Sequence, residues 1–301
     1  MLVMTAPRGT KYVRELAFAP TGLFAPGGML GVLHWAEFKH GAVAAPLGAN
    51  RRLVQRVVPS ADGSRVFVAD IEVRAVPVGG PGAGEVVWPD AGWDALKIVM
   101  SPDGSALVLS EEWVDADDLG ITRVSTSPPF RVEWEAQTPR RFLCDPLFHP
   151  SGEHFVTIES RWNEGTRVVT RSASDGRELT AATVPLVTPR HAALSPDGGT
   201  LVVTEDRELF VTQVGTAATP RVVVNANRRH FTAVAFHPSG KYLGAANNDG
   251  TVRLYDTQTW AAVRSFAWDV GQPTALAFSA DGALAAACTE RGKVVVWDVD
   301  V

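Results

Sequence analysis

Along the chain, apolar runs of a few residues alternate with short polar stretches rich in Gly, Pro, Asp and Ser, and no window sustains the period of an amphipathic helix. The stretch AVAFHPSGKYLGAANNDGTVRLYD (233–256) shows the unit: strand, Pro-Ser-Gly turn, strand, Asn-Asp-Gly turn, strand. A further strand follows in most copies, such as RVVV (221–224) or AAVRSF (261–266). This patterning predicts an all-β chain of short antiparallel strands, four to a unit. The first two strands of several units are apolar on both faces, as in LVV (201–203), AVAF (233–236) and ALAAAC (283–288). A sheet with one wet face alternates apolar and polar residues, so strands apolar on both faces predict a sheet packed between two others. Sheets arranged radially converge on an axis, where the small alanines fit the taper.

The turn is a repeat. It recurs as FAPTG (18–22), PSADG (59–63), MSPDG (100–104), FHPSG (148–152), LSPDG (194–198), FHPSG (236–240) and FSADG (278–282). Successive turn glycines are 41, 41, 48, 46, 42 and 42 residues apart, so seven copies of about 43 residues account for residues 1–301 as one domain. Glycine tolerates the positive φ such turns need, and Asp or Ser bonds the local backbone.

On these residues the chain resembles the WD-repeat β-propellers: the Ser-Pro-Asp-Gly-like turn in seven copies, the Asp249-Gly250 turn, Tyr255-Asp256, and Trp297-Asp298 at the end of the last third strand. The Gly-His dipeptide that the family carries before the first strand is absent from every unit. The resemblance implies a seven-bladed β-propeller of four-stranded antiparallel blades. The last unit stops one strand short at KVVVWDVDV (293–301), and residues 1–6 offer an apolar strand. Joining that N-terminal strand to the last blade closes the ring and removes an open sheet edge.

Composition narrows the function. The chain is 46% hydrophobic and 20% charged, with no apolar run long enough for a membrane span and no signal-peptide pattern at the N-terminus, so cytoplasmic residence is expected. A net charge of -5 disfavours wholesale nucleic-acid binding. Arginine (23) far outnumbers lysine (5), which points to a GC-rich bacterial genome. Cys144 and Cys288, each inside an apolar segment, read as buried free thiols.

The motifs of serine hydrolases, zinc proteases and nucleotide-binding loops are absent. The seven histidines show no metal-ligand spacing, and His149 and His237 stand where other turns have serine, which assigns them to turn stability. Ser195, His191 and Asp197 lie too close along one strand and turn for a triad. The loop EEWVDADDLG (111–120) offers Asp115, Asp117 and Asp118 but lacks the remaining ligands of a calcium loop. No cofactor and no metal are expected.

In the resembled fold, the loop before each first strand and the loop between second and third strands share one face, here called the top. Counting back 12 and 11 residues from the turn glycine reaches Arg51-Arg52, Arg140-Arg141 and Arg228-Arg229 in units two, four and six, with His230 following the last. The equivalent pair in unit three ends in Trp93; unit five, with a shorter approach, has Arg190-His191, and unit one has Lys11. Trp35, Trp113 and Trp162 belong to the same face. Arginine and tryptophan dominate binding hot spots, and grouped guanidinium groups grip carboxylates or phosphates. The leading expectation is a non-catalytic interaction scaffold, monomeric on its own, holding an acidic or phosphorylated peptide. An enzyme or small-molecule binder using the central channel is the alternative. A neutral reading of the arginines also stands: Asp70, Glu72, Glu159, Glu164, Glu205, Asp206, Asp249 and Glu290 on the neighbouring loops could pair with them.

Overall fold

A computed structural model describes the chain except residues 9, 11–12, 14, 28–30, 43–44, 48–53, 55, 70–71, 81–83, 90–96, 111–118, 139–140, 143, 162–164, 217–218, 226–228 and 301. Every element of the described residues is a strand, and the strands form seven antiparallel sheets in chain order: 17–47, 56–88, 97–138, 141–184, 191–224, 231–267 and 273–298. Each is a meander of four positions. The fourth sheet has its innermost position split into Arg141–Phe142 and Leu147–Phe148, both paired with His154–Arg161. Pro146 lies in the gap, where it removes the N–H that a continuous strand would donate. The seventh sheet gains its fourth strand from the N-terminus, because Leu2–Thr5 pairs antiparallel with Lys293–Asp298. Its outer edge is in turn covered, Gly41 N–H donating to the Val3 carbonyl (2.7 Å) and Thr5 N–H to that of Ala42 (2.9 Å).

The chain divides into two compact units, Met1–Asp70 with Arg74–Glu85 and Asn225–Val301, and Ile71–Val73 with Val86–Val224. In both, second strands are buried from end to end, as in Gly22–Pro26 and Ala106–Ser110, while the fourth strands are exposed, as in Glu178–Val184 and Ala262–Ala267. That gradient is the burial expected of strands apolar on both faces. In the first unit Met4, Leu23, Leu33, Ala286, Cys288 and Val296 share one core, and Trp297 packs on Trp268 with ring centroids 4.5 Å apart. In the second, Val156, Ile158, Leu201, Val203 and Phe210 form another.

Six of the seven repeated turns have one geometry. The residue that begins the turn accepts from the glycine N–H three residues on and donates its own N–H to the carbonyl five residues on, as Ser101 does with Gly104 and Ala106, both at 2.8 Å. The glycines there, 63, 104, 152, 198, 240 and 282, have φ of 68° to 75°. Two side-chain solutions complete the turn. In Ser-x-Asp-Gly, the serine hydroxyl donates to the aspartate (Ser101 to Asp103, 2.6 Å) and accepts the N–H five residues on (Ala106, 3.0 Å), while the aspartate accepts the N–H of Ser105 (3.0 Å). In His-Pro-Ser-Gly, the imidazole Nδ1 of His237 accepts the Ser239 N–H (3.1 Å) and meets its hydroxyl at 2.7 Å. That assignment leaves the ring proton on Nε2, which donates across to the Gly282 carbonyl (3.0 Å). Both histidines therefore serve the turns, as their positions in the repeat indicate.

A second turn makes the same cross-sheet bond. Thr21 donates to the Gly63 carbonyl (3.0 Å), and the place a Cβ would take on Gly63 is 2.8 Å from that hydroxyl. A Cβ on Gly198 would lie 1.9 Å from the His149 ring, and one on Gly282 would lie 2.5 Å from His237. The side chain of one turn thus occupies the space over the glycine of the next, so glycine is required there both for its φ and for its missing side chain. At the other end of the innermost strands, bulged residues Thr232 and Thr274 donate to the carbonyls of Pro273 (2.7 Å) and Val13 (2.6 Å), binding each sheet to its successor.

Two outcomes are expected. Gly198→Ala combines a left-handed φ with overlap on His149, whereas Gly41→Ala has the same φ (74°) and nothing within 4 Å. Chemical denaturation is expected to show a loss of about 1 kcal/mol for Gly41→Ala and about 1–3 kcal/mol more for Gly198→Ala. The Ser60 hydroxyl, aided by Ser64, holds Asp62 down at about 2, and Ser101 with Ser105 does the same to Asp103. Hydroxyl bonds likewise lower Asp197 and Asp281. A carboxylate depressed in the folded state adds stability above its unfolded value near 3.9, and that stability is lost as pH falls toward 2. Changing these four aspartates to asparagine is therefore expected to lower Tm at pH 7 and to flatten the fall of Tm between about pH 4 and 2.

Candidate interaction surface

In an antiparallel meander, the approach to the first strand and the loop from second to third strand meet at one end of the sheet. The charges in question gather there. In the sixth sheet that end is held by a buried amide network. Asn225 donates to the Asn247 amide oxygen (2.6 Å) and the Arg229 carbonyl (2.9 Å), and accepts from Arg253 (2.6 Å). Arg253 also pairs with Asp249 (3.1 Å), which accepts the Thr251 hydroxyl (2.6 Å). His230 and Asn248 exchange two bonds, His230 N–H to the amide oxygen (3.1 Å) and Asn248 N–H to the His230 carbonyl (3.0 Å). Asn225 and Asn247 are 1% and 0% exposed, so in this blade a polar network stands at the end where the Gly-His dipeptide is absent. It pins the backbone of Arg229 and His230 and leaves the Arg229 side chain exposed.

The fifth sheet reaches the same result by another route. Glu205 closes its second strand and turns its carboxylate onto the preceding loop, accepting the N–H groups of Val187 (2.8 Å) and Thr188. Leu186 and Pro189 are buried, while Val187 and Arg190 point outward. The Arg190 N–H donates to the Thr204 carbonyl (3.0 Å), extending the ladder by one rung. Arg190 has no ion-pair partner among the described residues.

In the fourth sheet Glu159 is fully buried, accepting from Arg171 (2.8 and 2.9 Å) and from the Thr157 hydroxyl. Arg171 also donates from Nη1 to the Gly176 carbonyl (3.1 Å). Among the described residues, Glu159 and Glu205 therefore direct their charges to Arg171 and to loop amides.

Of the residues picked from the sequence, Arg190, Arg229 and His230 lie at this end of their sheets. Trp35 does not belong to the surface. It is 2% exposed and packs in the core with Met4 and Leu23, because the strand Val32–Trp35 is buried along its whole length. Arg141 falls in its short strand. Arg51, Arg52, Trp93, Trp113, Arg140, Trp162 and Arg228, with Lys11 and the aspartates of 111–118, lie outside the described residues. Val187 was not singled out, although two apolar residues side by side between Pro185 and Pro189 cannot both face inward.

The serine, histidine and aspartate of the fifth unit's first strand and turn do not form a triad. The Ser195 hydroxyl donates to Asp197 and accepts the Thr200 N–H (2.8 Å), so it is a turn residue, and His191 bonds Thr204 through its N–H (3.1 Å). No group of three His, Cys, Asp or Glu that could hold a metal ion occurs among the described residues. Cys144 and Cys288 are buried thiols outside any disulfide, and burial pushes the Cys288 thiol up to about 12. No helix among the described residues is long and apolar enough to cross a membrane. A cleft of about 490 Å³ lies at the opposite end of the third and fourth sheets, lined by Arg123, Glu133, Trp134 and Glu153 among others. Its polar groups are partly satisfied within it, Arg123 bonding Glu133 and the Trp134 indole the Ala173 carbonyl (2.9 Å).

The family model described as WD domain, G-beta repeat matches residues 221–256 and 262–298, which contain the two repeats with the clearest motifs. The chain is 38% identical over 69 residues to pre-mRNA-processing factor 19 homolog 2 of Arabidopsis thaliana, a match covering 23% of this chain and 13% of that protein. It is 26% identical over 107 residues to the target of rapamycin complex subunit wat1 of Schizosaccharomyces pombe, covering 35% and 34%. These matches span no more than about a third of either relative. Among solved structures, the β-propeller domain of Myceliophteria thermophila Cps50 (Swd1) superimposes with a TM-score of 0.74 at 16% identity, over 98% of both chains.

The buried pair in the fourth sheet gives a stability test. Arg171→Leu leaves the Glu159 carboxylate buried without its cation and is expected to cost about 3–5 kcal/mol in denaturant unfolding. The double variant with Glu159→Leu is expected to recover most of that loss.

Proposed function

We propose that this seven-bladed WD-repeat β-propeller is a non-catalytic interaction scaffold whose top-face loops hold an acidic segment of a partner protein. The observation that carries the reading is an uncompensated charge on a fixed backbone. Arg190 is exposed with no ion-pair partner among the described residues, and Glu205, at the end of the second strand of the same sheet, is committed to the amides of Val187 and Thr188. An exposed ion pair contributes about 0–1 kcal/mol, so a guanidinium group lacking even that is open to a partner's carboxylate or phosphate, which it can grip through two parallel bonds. The arginine pairs 51–52, 140–141 and 228–229, with Trp93, Trp113 and Trp162, stand at equivalent offsets in the repeat and are assigned to the same role. A relative described as a subunit of a complex supports a protein partner in general terms.

The test compares native-extract pull-downs by the wild type and by a variant with Arg51, Arg52, Arg140, Arg141, Arg228 and Arg229 changed to Glu. Partners held by the wild type are expected to be lost from the variant while its far-UV circular dichroism is unchanged. Identical partner lists from two equally folded proteins would remove the arginines from the function and leave the scaffold.

A further inference from the structure

We infer that loop 185–190 of the fifth blade is a two-point docking site for an extended acidic segment of a partner protein, which lays an apolar side chain on Val187 and a carboxylate on Arg190. The inference rests on the scaffold reading and names the chemistry of its partner at one blade. Val187 is 81% exposed, the most exposed of the large apolar side chains among the described residues. A solvated valine on a mobile loop would need no explanation, but this loop is held at four places. Leu186 is anchored in the core cluster of the fourth and fifth blades, Pro189 is buried, the amides of Val187 and Thr188 are gripped by Glu205, and the Arg190 N–H is bonded to Thr204. The backbone is thus ordered before any partner arrives, and the entropy of ordering it does not weaken binding.

The two contact points fit one kind of ligand. Val187 and Arg190 are three residues apart, a span of about 10 Å at most. An extended peptide places side chains two or three residues apart across the same distance, one apolar and one acidic. A nucleic-acid backbone answers the arginine but not the valine. A purely apolar partner would leave the guanidinium group desolvated and unpaired.

Glu205 is the positioning residue, and its charge makes the claim testable. Replacing it with glutamine removes a negative charge next to the site. If long-range attraction governed, an acidic peptide would bind the variant more tightly; if loop positioning governs, it binds more weakly. A random linear peptide library displayed on phage, selected on the full chain, supplies the probe, and the best peptide is synthesised and titrated by fluorescence anisotropy. Selected peptides are expected to carry Asp or Glu two or three residues from an apolar residue. Arg190→Ala is expected to weaken the peptide about tenfold or more, Val187→Ser several-fold, and Glu205→Gln several-fold with faster hydrogen exchange at the Val187 and Thr188 amides. Failure to enrich any peptide, equal binding by Arg190→Ala and Val187→Ser, or tighter binding by Glu205→Gln would each overturn the inference. The two readings separate in the extract experiment: partners retained by the Val187→Ser, Arg190→Ala double variant sink this site alone, whereas the absence of any captured partner sinks the scaffold.

Discussion

Everything in this structure depends on one crowded position, the glycine at the end of the repeated turn. Its φ near +70° closes the hairpin between the first two strands of a blade. At Gly63, Gly198 and Gly282 the space its side chain would fill belongs to the Thr or His of the preceding turn. Hairpin formation within a blade and packing between blades are therefore the same event at the same atoms. A four-stranded sheet apolar on both faces cannot stand alone in water, so the register of each blade against the next has to be set firmly. The turn does this at one end of the sheet, and the bulged Thr232 and Thr274 do it at the other.

The repeat conserves the result and not the residue. Four turns use a serine and an aspartate, and two use a histidine and a serine, but in each the same backbone N–H groups find acceptors. The opposite end shows the same tolerance. The sixth blade fixes its loop with Asn225, Asn247 and Arg253, and the fifth with Glu205 alone. What is preserved there is a stiff backbone that turns an arginine outward.

The two ends of a blade thus differ in what they expose. The turn end carries short side-chain bonds that close on themselves and offer little to a partner. The loop end keeps its carboxylates busy with backbone and internal cations, as Glu159 and Glu205 do, and so leaves positive charge on the surface of a chain whose net charge is negative.

The repeat number, the strand order, the N-terminal strand completing the last blade, and the turn roles of His149 and His237 were all legible in the sequence. They rest on spacing along the chain, and a hairpin is a local object whose turn chemistry acts over five residues. The offset that singled out Arg190, Arg229 and His230 was legible for the same reason. What each charge pairs with was not. Glu205 reaches amides 17 and 18 residues away although Arg190 is 15 away, and Glu159 reaches a guanidinium 12 away. Trp35 reads as a surface anchor in sequence and lies in the core because the strand carrying it is covered on both faces. Spacing determines which strands pair; only the folded arrangement decides which of several chemically equivalent partners a charge meets, because that choice depends on distances through space.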